Sequence, residues 1–94
     1  MGKTLSYFTT PGIEELKLND LVMCQIIDTV TDNMQRCRNF VFLSPSVDGL
    51  STDISDGDES VGTANFAIPE RIWAKQAWEP GVGDYITIFL PDER

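Results

Sequence analysis

The clearest local structural signals in the chain lie in residues 66–90, FAIPERIWAKQAWEPGVGDYITIFL, which also contain both tryptophans. Pro69 suits the first position of a helix, where its missing N–H is not needed, and Glu70 favours a helix start electrostatically. Pro80 and Gly81 end such a helix. We therefore predict a short helix over 69–78, followed by a tight turn.

A strand is predicted after that turn, over residues 84–90. Its side chains are mostly β-branched, aromatic or apolar, and Pro91 ends the run because proline cannot donate to a strand ladder. Two earlier runs, 21–30 (LVMCQIIDTV) and 38–43 (RNFVFL), have the same character and are separated by turn-forming residues. They predict an antiparallel hairpin, with an N-terminal edge strand over 4–8.

The 94 residues and the 41% hydrophobic content predict one domain, 1–94, with a single core. No apolar run approaches the roughly 20 residues that cross a bilayer, and the N-terminus lacks the pattern of a secretory signal. We therefore expect no membrane partner and a cytoplasmic location, which is the host cytoplasm if a phage encodes the chain.

Two aromatic pairs are candidates for a binding surface. Phe40 and Phe42 share one face of their strand, because strand side chains alternate. The favoured interpretation places both in the core and leaves Val41 and Leu43 partly exposed, whereas the alternative makes the phenylalanines an exposed platform for stacking bases. Of the tryptophans, Trp73 is the better core candidate and Trp78 is a candidate anchor for a protein partner.

The acidic residues are concentrated in one segment. The chain has 15 acidic and 7 basic residues, a formal net charge of -8, and residues 46–63 (SVDGLSTDISDGDESVGT) contain no basic residue. We predict an acidic loop there. It is either a solvated loop or a contact surface for a basic protein, whose candidate residues are Asp48, Asp53, Asp56, Asp58 and Glu59.

The sequence contains few candidate residues for catalysis or metal binding. The chain has no histidine, and Cys24 and Cys37 have no zinc-ligand spacing. No phosphate-binding loop or nucleophile motif is present. We expect a non-enzymatic protein with no catalytic residue, no metal and no cofactor, whose two cysteines are reduced and packed.

The order of strands resembles a small oligonucleotide/oligosaccharide-binding barrel of the cold-shock or S1 type. NFVF at 39–42, FAIP at 66–69 and GDYI at 83–86 carry the resemblance. It implies a mainly β fold, a small antiparallel barrel with one short helix between the last two strands. An SH3-like barrel closed by the N-terminal strand is equally acceptable.

Three functional hypotheses follow from these features. The first is an acidic protein-interaction module, such as a phage-encoded binder or inhibitor of a basic protein that handles nucleic acid. The second is a single-stranded nucleic-acid-binding protein that uses Phe40, Phe42, Arg36 and Arg38, although the net charge makes direct binding to nucleic acid unfavourable. The third is a structural or assembly subunit of a virus particle.

Overall fold

The computed structural model describes residues 6–93, which contain one strand, then two helices, then five strands. A single 3-10 turn, Pro91–Glu93, ends the described chain. The elements are β1 (Ser6–Thr9), α1 (Pro11–Glu15), α2 (Asp20–Asn33), β2 (Phe40–Pro45), β3 (Thr52–Ser55), β4 (Ser60–Ala64), β5 (Ile72–Glu79) and β6 (Gly83–Phe89).

The strands form one mixed sheet in the order β1-β6-β5-β2-β3-β4. β1 runs parallel to β6, and every other neighbouring pair is antiparallel. The prediction of a mainly β fold is therefore confirmed. The sheet is open, with β1 and β4 at its two edges, so the barrel predicted from the sequence does not form in residues 6–93.

Residues 21–30 lie in helix α2, so the predicted strand and its hairpin with 38–43 are wrong. Asn19 caps the helix by accepting a hydrogen bond of 2.8 Å from the Val22 N–H. Ile26, Val30 and Met34 recur every four residues and are all buried, which places them on one helical face. The helical spacing and the cap outweigh the strand propensity of the β-branched side chains.

Helix α2 covers one face of the sheet, which we call the inner face. Its buried side chains pack in one core with alternate residues of the central strands, including Val41, Leu43, Ile72, Ile86 and Ile88. The opposite face, here called the outer face, carries the intervening residues of the same strands.

Residues 72–79 form strand β5, so the helix predicted over 69–78 is wrong. The strand lies between β2 and β6 and alternates strictly at its start, where Ile72 and Ala74 are buried and Trp73 and Lys75 point to the outer face. Gly81, with φ of 86°, follows Pro80 in the β5–β6 turn, and the Val82 N–H donates to the Glu79 carbonyl at 3.2 Å. Proline before a glycine of positive φ is the sequence preference of a type II turn.

The predicted acidic loop is mostly a β-hairpin, since 46–63 contains all of β3 and all but the last residue of β4. Thr52 and Ile54 are buried, and the Thr52 hydroxyl donates a hydrogen bond of 2.6 Å to the Phe66 carbonyl. Burial of alternate residues holds a segment that is polar by composition in the sheet. The strand predictions for 84–90 and 38–43 are confirmed with shifted ends, as is the N-terminal edge strand, although its positions 4 and 5 lie outside the described residues.

Candidate interaction surfaces

Four aromatic rings form a cluster on the outer face, which we call the aromatic cluster. Phe40 and Phe42 stack with ring centroids 4.6 Å apart and an interplanar angle of 11°. Trp73 meets both rings edge to face, at 5.8 and 4.9 Å, and Phe89 meets Phe40 in the same way at 6.0 Å. Such edge-to-face pairs are favourable beyond the area that they bury.

The cluster reverses the favoured interpretation of β2. Val41 and Leu43 are fully buried on the inner face, whereas Phe40 and Phe42 are half-buried on the outer face. Trp73, predicted to lie in the core, is also half-buried on the outer face. The sequence predicts that Phe40 and Phe42 lie on one face of β2 and Val41 and Leu43 on the other. Which of the two faces is buried depends on the side that α2 covers.

The turn between β3 and β4 brings Asp56, Asp58 and Glu59 together. The Asp56 Oδ1 atom accepts hydrogen bonds from the Asp58 N–H at 2.8 Å and the Glu59 N–H at 3.0 Å. These two backbone donors, that of Glu59 first, hold the pKa of the Asp56 carboxyl below its ordinary value, and the charge of Arg38 adds to the effect. Asp56 therefore shapes the turn, while Asp58 and Glu59 are exposed.

This acidic turn touches the aromatic cluster through Gly57. A Cβ atom at Gly57, where φ is 101°, would lie 2.9 Å from Cε1 of Phe42. The backbone of the turn therefore approaches the Phe42 ring as closely as a glycine allows. The ring and the three carboxylates form one continuous border of the sheet.

The other two predicted acidic residues lie elsewhere. Asp48 is in the β2–β3 connection, where its Oδ1 atom accepts a hydrogen bond of 2.8 Å from the Leu50 N–H. Asp53 is within β3, and its Oδ1 atom accepts a hydrogen bond of 3.0 Å from the Ser46 hydroxyl. Because strands β2 and β3 are antiparallel, Asp48 lies at the opposite end of β3 from the acidic turn. The five acids do not form one patch.

Trp78 is 64% exposed near the end of β5, directly across from Asp84 of β6. Val82, in the following turn, is also exposed. β3 and β5 both run antiparallel to β2, which lies between them, so both end on the same side of the sheet. The structure thus brings Trp78 and the acidic turn to one end of the sheet, called here the acidic end.

Arg36 and Arg38 lie in the connection between α2 and β2. The Arg36 guanidinium donates a hydrogen bond of 3.3 Å to the Val61 carbonyl on edge strand β4. Arg38, whose φ is 56°, lies with Phe40 and Phe42 around a cavity of about 410 Å³ that also includes the acidic turn. Arg38, but not Arg36, lines the same cavity as the two phenylalanines.

A second cavity, the outer cleft, has a volume of about 560 Å³ and lies on the outer face over β6, β5 and β2. Its lining residues are Thr10, Phe40, Lys75, Thr87, Phe89 and Glu93. Of these, only Phe40 was a candidate from the sequence. Strand alternation along β5 and β6 places Lys75, Thr87 and Phe89 on one face of the sheet. The sequence did not predict this, because β5 was predicted to be a helix.

Both cysteines are free thiols, and they differ in exposure. Cys24 is exposed on α2, which corrects the prediction that it is packed, whereas Cys37 is buried. Burial, followed by the negative charge of Asp56, raises the pKa of the Cys37 thiol above its ordinary value. Within residues 6–93, no group of three or more histidine, cysteine or acidic residues is arranged to hold a metal ion.

No protein-family model matches the chain, and comparisons with curated proteins and with solved structures give no significant match. Neither helix of the described region is long and apolar enough to span a bilayer.

Proposed function

We propose that the protein is a non-enzymatic interaction module that binds a basic protein surface through its acidic end. The observation that carries the proposal is the placement of exposed Trp78 at the same end of the sheet as the turn that bears Asp56, Asp58 and Glu59. These residues lie far apart in the sequence, and only the topology of the sheet brings them together.

The dimensions of the acidic end suit a protein contact. One strand separates β3 from β5, and Trp78 lies five residues beyond Trp73, which is level with Ser55 across β2. From the spacing of strands and residues, Trp78 and the acidic turn are on the order of 15 Å apart. An interface that buries about 800 Å² on each partner spans that separation.

The two features make different contributions to binding. A tryptophan that becomes fully desolvated at the centre of an interface contributes about 2 kcal/mol or more, whereas rim carboxylates contribute mainly to the rate of encounter. Charge steering raises association rates by about 10 to 1,000 times for a partner of opposite sign. With a formal net charge of -8, the chain favours basic partners and repels acidic ones.

Proteins that handle nucleic acid carry such basic surfaces, because they neutralise phosphates with lysine and arginine. A small acidic module that occupies that surface blocks nucleic acid from it. We therefore propose that the partner belongs to this class and that the module acts as a binder or inhibitor.

The charge contribution is tested by capture of partners from a cell lysate at increasing salt. The double variant Asp58→Asn/Glu59→Gln removes two exposed charges of the acidic turn without changing Asp56. The control Asp28→Asn/Asp32→Asn removes two exposed charges from α2. We expect the first variant to associate more slowly at low salt with the captured partner, and with less dependence on salt, while the control keeps most of the wild-type rate.

The tryptophan contribution is tested with the same partner. Trp78→Ala is expected to weaken binding by about 30-fold, the equivalent of about 2 kcal/mol. Leu21→Ala is the matched control, since Leu21 is 69% exposed on α2. Equal affinities of these two variants, or equal association rates of the two charge variants, contradict the proposal.

A further inference from the structure

We propose that the outer cleft binds a planar aromatic molecule that carries one anionic group, the chemistry that a nucleotide combines in its base and phosphate. Phe40 lines both this cleft and the cavity at the acidic turn, but Trp78 and the acidic residues of the turn do not line the cleft. The proposal does not depend on the proposed protein partner. Its volume of about 560 Å³ lies within the range of about 300–1,000 Å³ that is usual for small-ligand sites.

Aromatic rings supply one half of this recognition. Phe40 and Phe89 line the cleft with ring centroids 6.0 Å apart and an interplanar angle of 73°. The contact of Phe42 with the Gly57 turn and its stacking on Phe40 engage the Phe42 ring already. Phe89 is buried and Phe40 is half-buried, so a planar ligand meets mainly the Phe40 ring, beside Phe89. Stacking on an aromatic side chain is favourable for any base.

Lys75 supplies the other half. It is exposed in the middle of the outer face, directly across from Phe40 on one side and Thr87 on the other. In a chain with a net charge of -8, its ammonium group forms no ion pair or hydrogen bond with any other residue between 6 and 93. An ammonium group that lines the same cleft as two aromatic rings and the Thr87 hydroxyl is a site for an anion attached to a ring.

Glu93 restricts where that anion lies. Its carboxylate lines the cleft but already accepts hydrogen bonds from the Thr10 hydroxyl and from the N–H groups of Gly12 and Leu90. The negative charge repels a second anion. The favoured ligand therefore places a single anionic group against Lys75 and away from Glu93, with its ring against Phe40 and Phe89.

The experiment is a calorimetric titration of the full chain with adenosine monophosphate at low salt. Adenosine and inorganic phosphate, titrated separately, test whether both halves of the ligand are needed. Lys75→Met keeps the apolar stem and removes the charge, and Phe40→Leu keeps an apolar side chain and removes the ring. Lys17→Met is the matched control, because Lys17 is exposed and lies outside the cleft.

We expect saturable binding of adenosine monophosphate that becomes about tenfold weaker or worse in Lys75→Met and in Phe40→Leu, and that stays unchanged in Lys17→Met. Adenosine and phosphate alone should each bind at least about tenfold more weakly. Circular dichroism checks that each variant is folded. Absence of saturation at about 10 mM nucleotide, or wild-type affinity in folded Lys75→Met, overturns the proposal.

Titration with a short oligodeoxyadenylate shows whether the cleft binds a free nucleotide or one nucleotide of a single strand. If the free nucleotide binds as tightly as the oligonucleotide, the site is for a small molecule. If the oligonucleotide binds more tightly with the same dependence on Lys75 and Phe40, the site takes one unit of a single strand. Both results support the cleft, whereas oligonucleotide binding that is insensitive to Lys75→Met and Phe40→Leu contradicts it.

Discussion

Glu93 and Thr10 lie 83 positions apart in the chain, and the Glu93 Oε1 atom accepts a hydrogen bond of 2.6 Å from the Thr10 hydroxyl. The same carboxylate accepts hydrogen bonds from the Gly12 N–H at 3.0 Å and the Leu90 N–H at 2.9 Å. It therefore joins the start of α1 to the segment that follows β6. These hydrogen bonds, that of Thr10 first, hold the pKa of the Glu93 carboxyl below its ordinary value of 4.5.

We predict that Glu93→Gln lowers the free energy of unfolding at pH 7. Because the folded-state pKa is depressed, the carboxylate makes its full contribution above the ordinary pKa of 4.5 and loses it as pH falls through the folded-state pKa. The stability difference between wild type and Glu93→Gln should therefore shrink as pH falls below about 4.5. Urea unfolding at a series of pH values measures the difference, with Asp92→Asn as the control. A difference that does not change with pH contradicts the prediction.

The packing of α2 on the inner face predicts a large effect of Ile26→Ala. Ile26 is fully buried in the core cluster, and removal of a large aliphatic side chain from such a site costs about 2–5 kcal/mol. Leu21→Ala, on the exposed side of the same helix, should change the free energy of unfolding by less than about 0.5 kcal/mol. Similar losses in the two variants, measured by urea unfolding, argue against the helix and its orientation.

Residues 21–30 were predicted to form a strand but lie in α2, because their side chains fit both structures. Val, Ile and Thr favour strands, but Val22, Ile26 and Val30 also recur every four residues, as they do on a helix. Asn19 belongs to a residue type that suits both turns and helix starts, and it caps α2. The run 84–90 was predicted correctly because its turn, its β-branched residues and Pro91 all favour the same structure.

The candidate sites were predicted only in part. The sequence identified Trp78, Phe40 and the acids of the turn, since each is conspicuous by residue type. It did not identify Lys75, Thr87 or Phe89, because their proximity depends on pairing of β5 with β2 and β6. Pairing between distant strands follows from packing of the whole sheet, and local propensity does not contain that information.

The contact between Gly57 and Phe42 predicts that Gly57→Ala destabilises the protein more than Gly49→Ala. Both glycines have positive φ, so each alanine costs about 1–2 kcal/mol of backbone strain. At Gly57 a Cβ also lies 2.9 Å from the Phe42 ring, whereas nothing lies within 4 Å at Gly49. Urea unfolding should give about 1 kcal/mol or more additional loss for Gly57→Ala.

A double-mutant cycle separates this steric contact from backbone strain. If the Phe42 ring causes the additional loss, Phe42→Leu should reduce the cost of Gly57→Ala, giving a coupling of at least about 0.5 kcal/mol. Gly49→Ala combined with Phe42→Leu is the control and should be additive. If both cycles are additive, the Phe42 ring does not cause the additional loss of stability in Gly57→Ala.

The two cysteines are predicted to react at very different rates. Cys24 is exposed, so a thiol reagent reaches it directly in the folded protein. Cys37 is buried, its Sγ atom donates a hydrogen bond to the Ser55 carbonyl at 3.7 Å, and its pKa is raised by burial and by Asp56. Modification of Cys37 therefore requires local opening between the α2–β2 connection and β3, and should be slower by about 100-fold or more.

A chromogenic disulfide reagent measures both rates in the native protein. We expect one fast and one slow thiol, and Cys24→Ser should abolish only the fast phase. Because a raised pKa keeps Cys37 protonated, the slow phase should still accelerate as pH approaches 9, and urea that unfolds the chain should merge the two phases. Fast reaction of Cys37 in the native Cys24→Ser variant contradicts the burial of this thiol between the α2–β2 connection and β3.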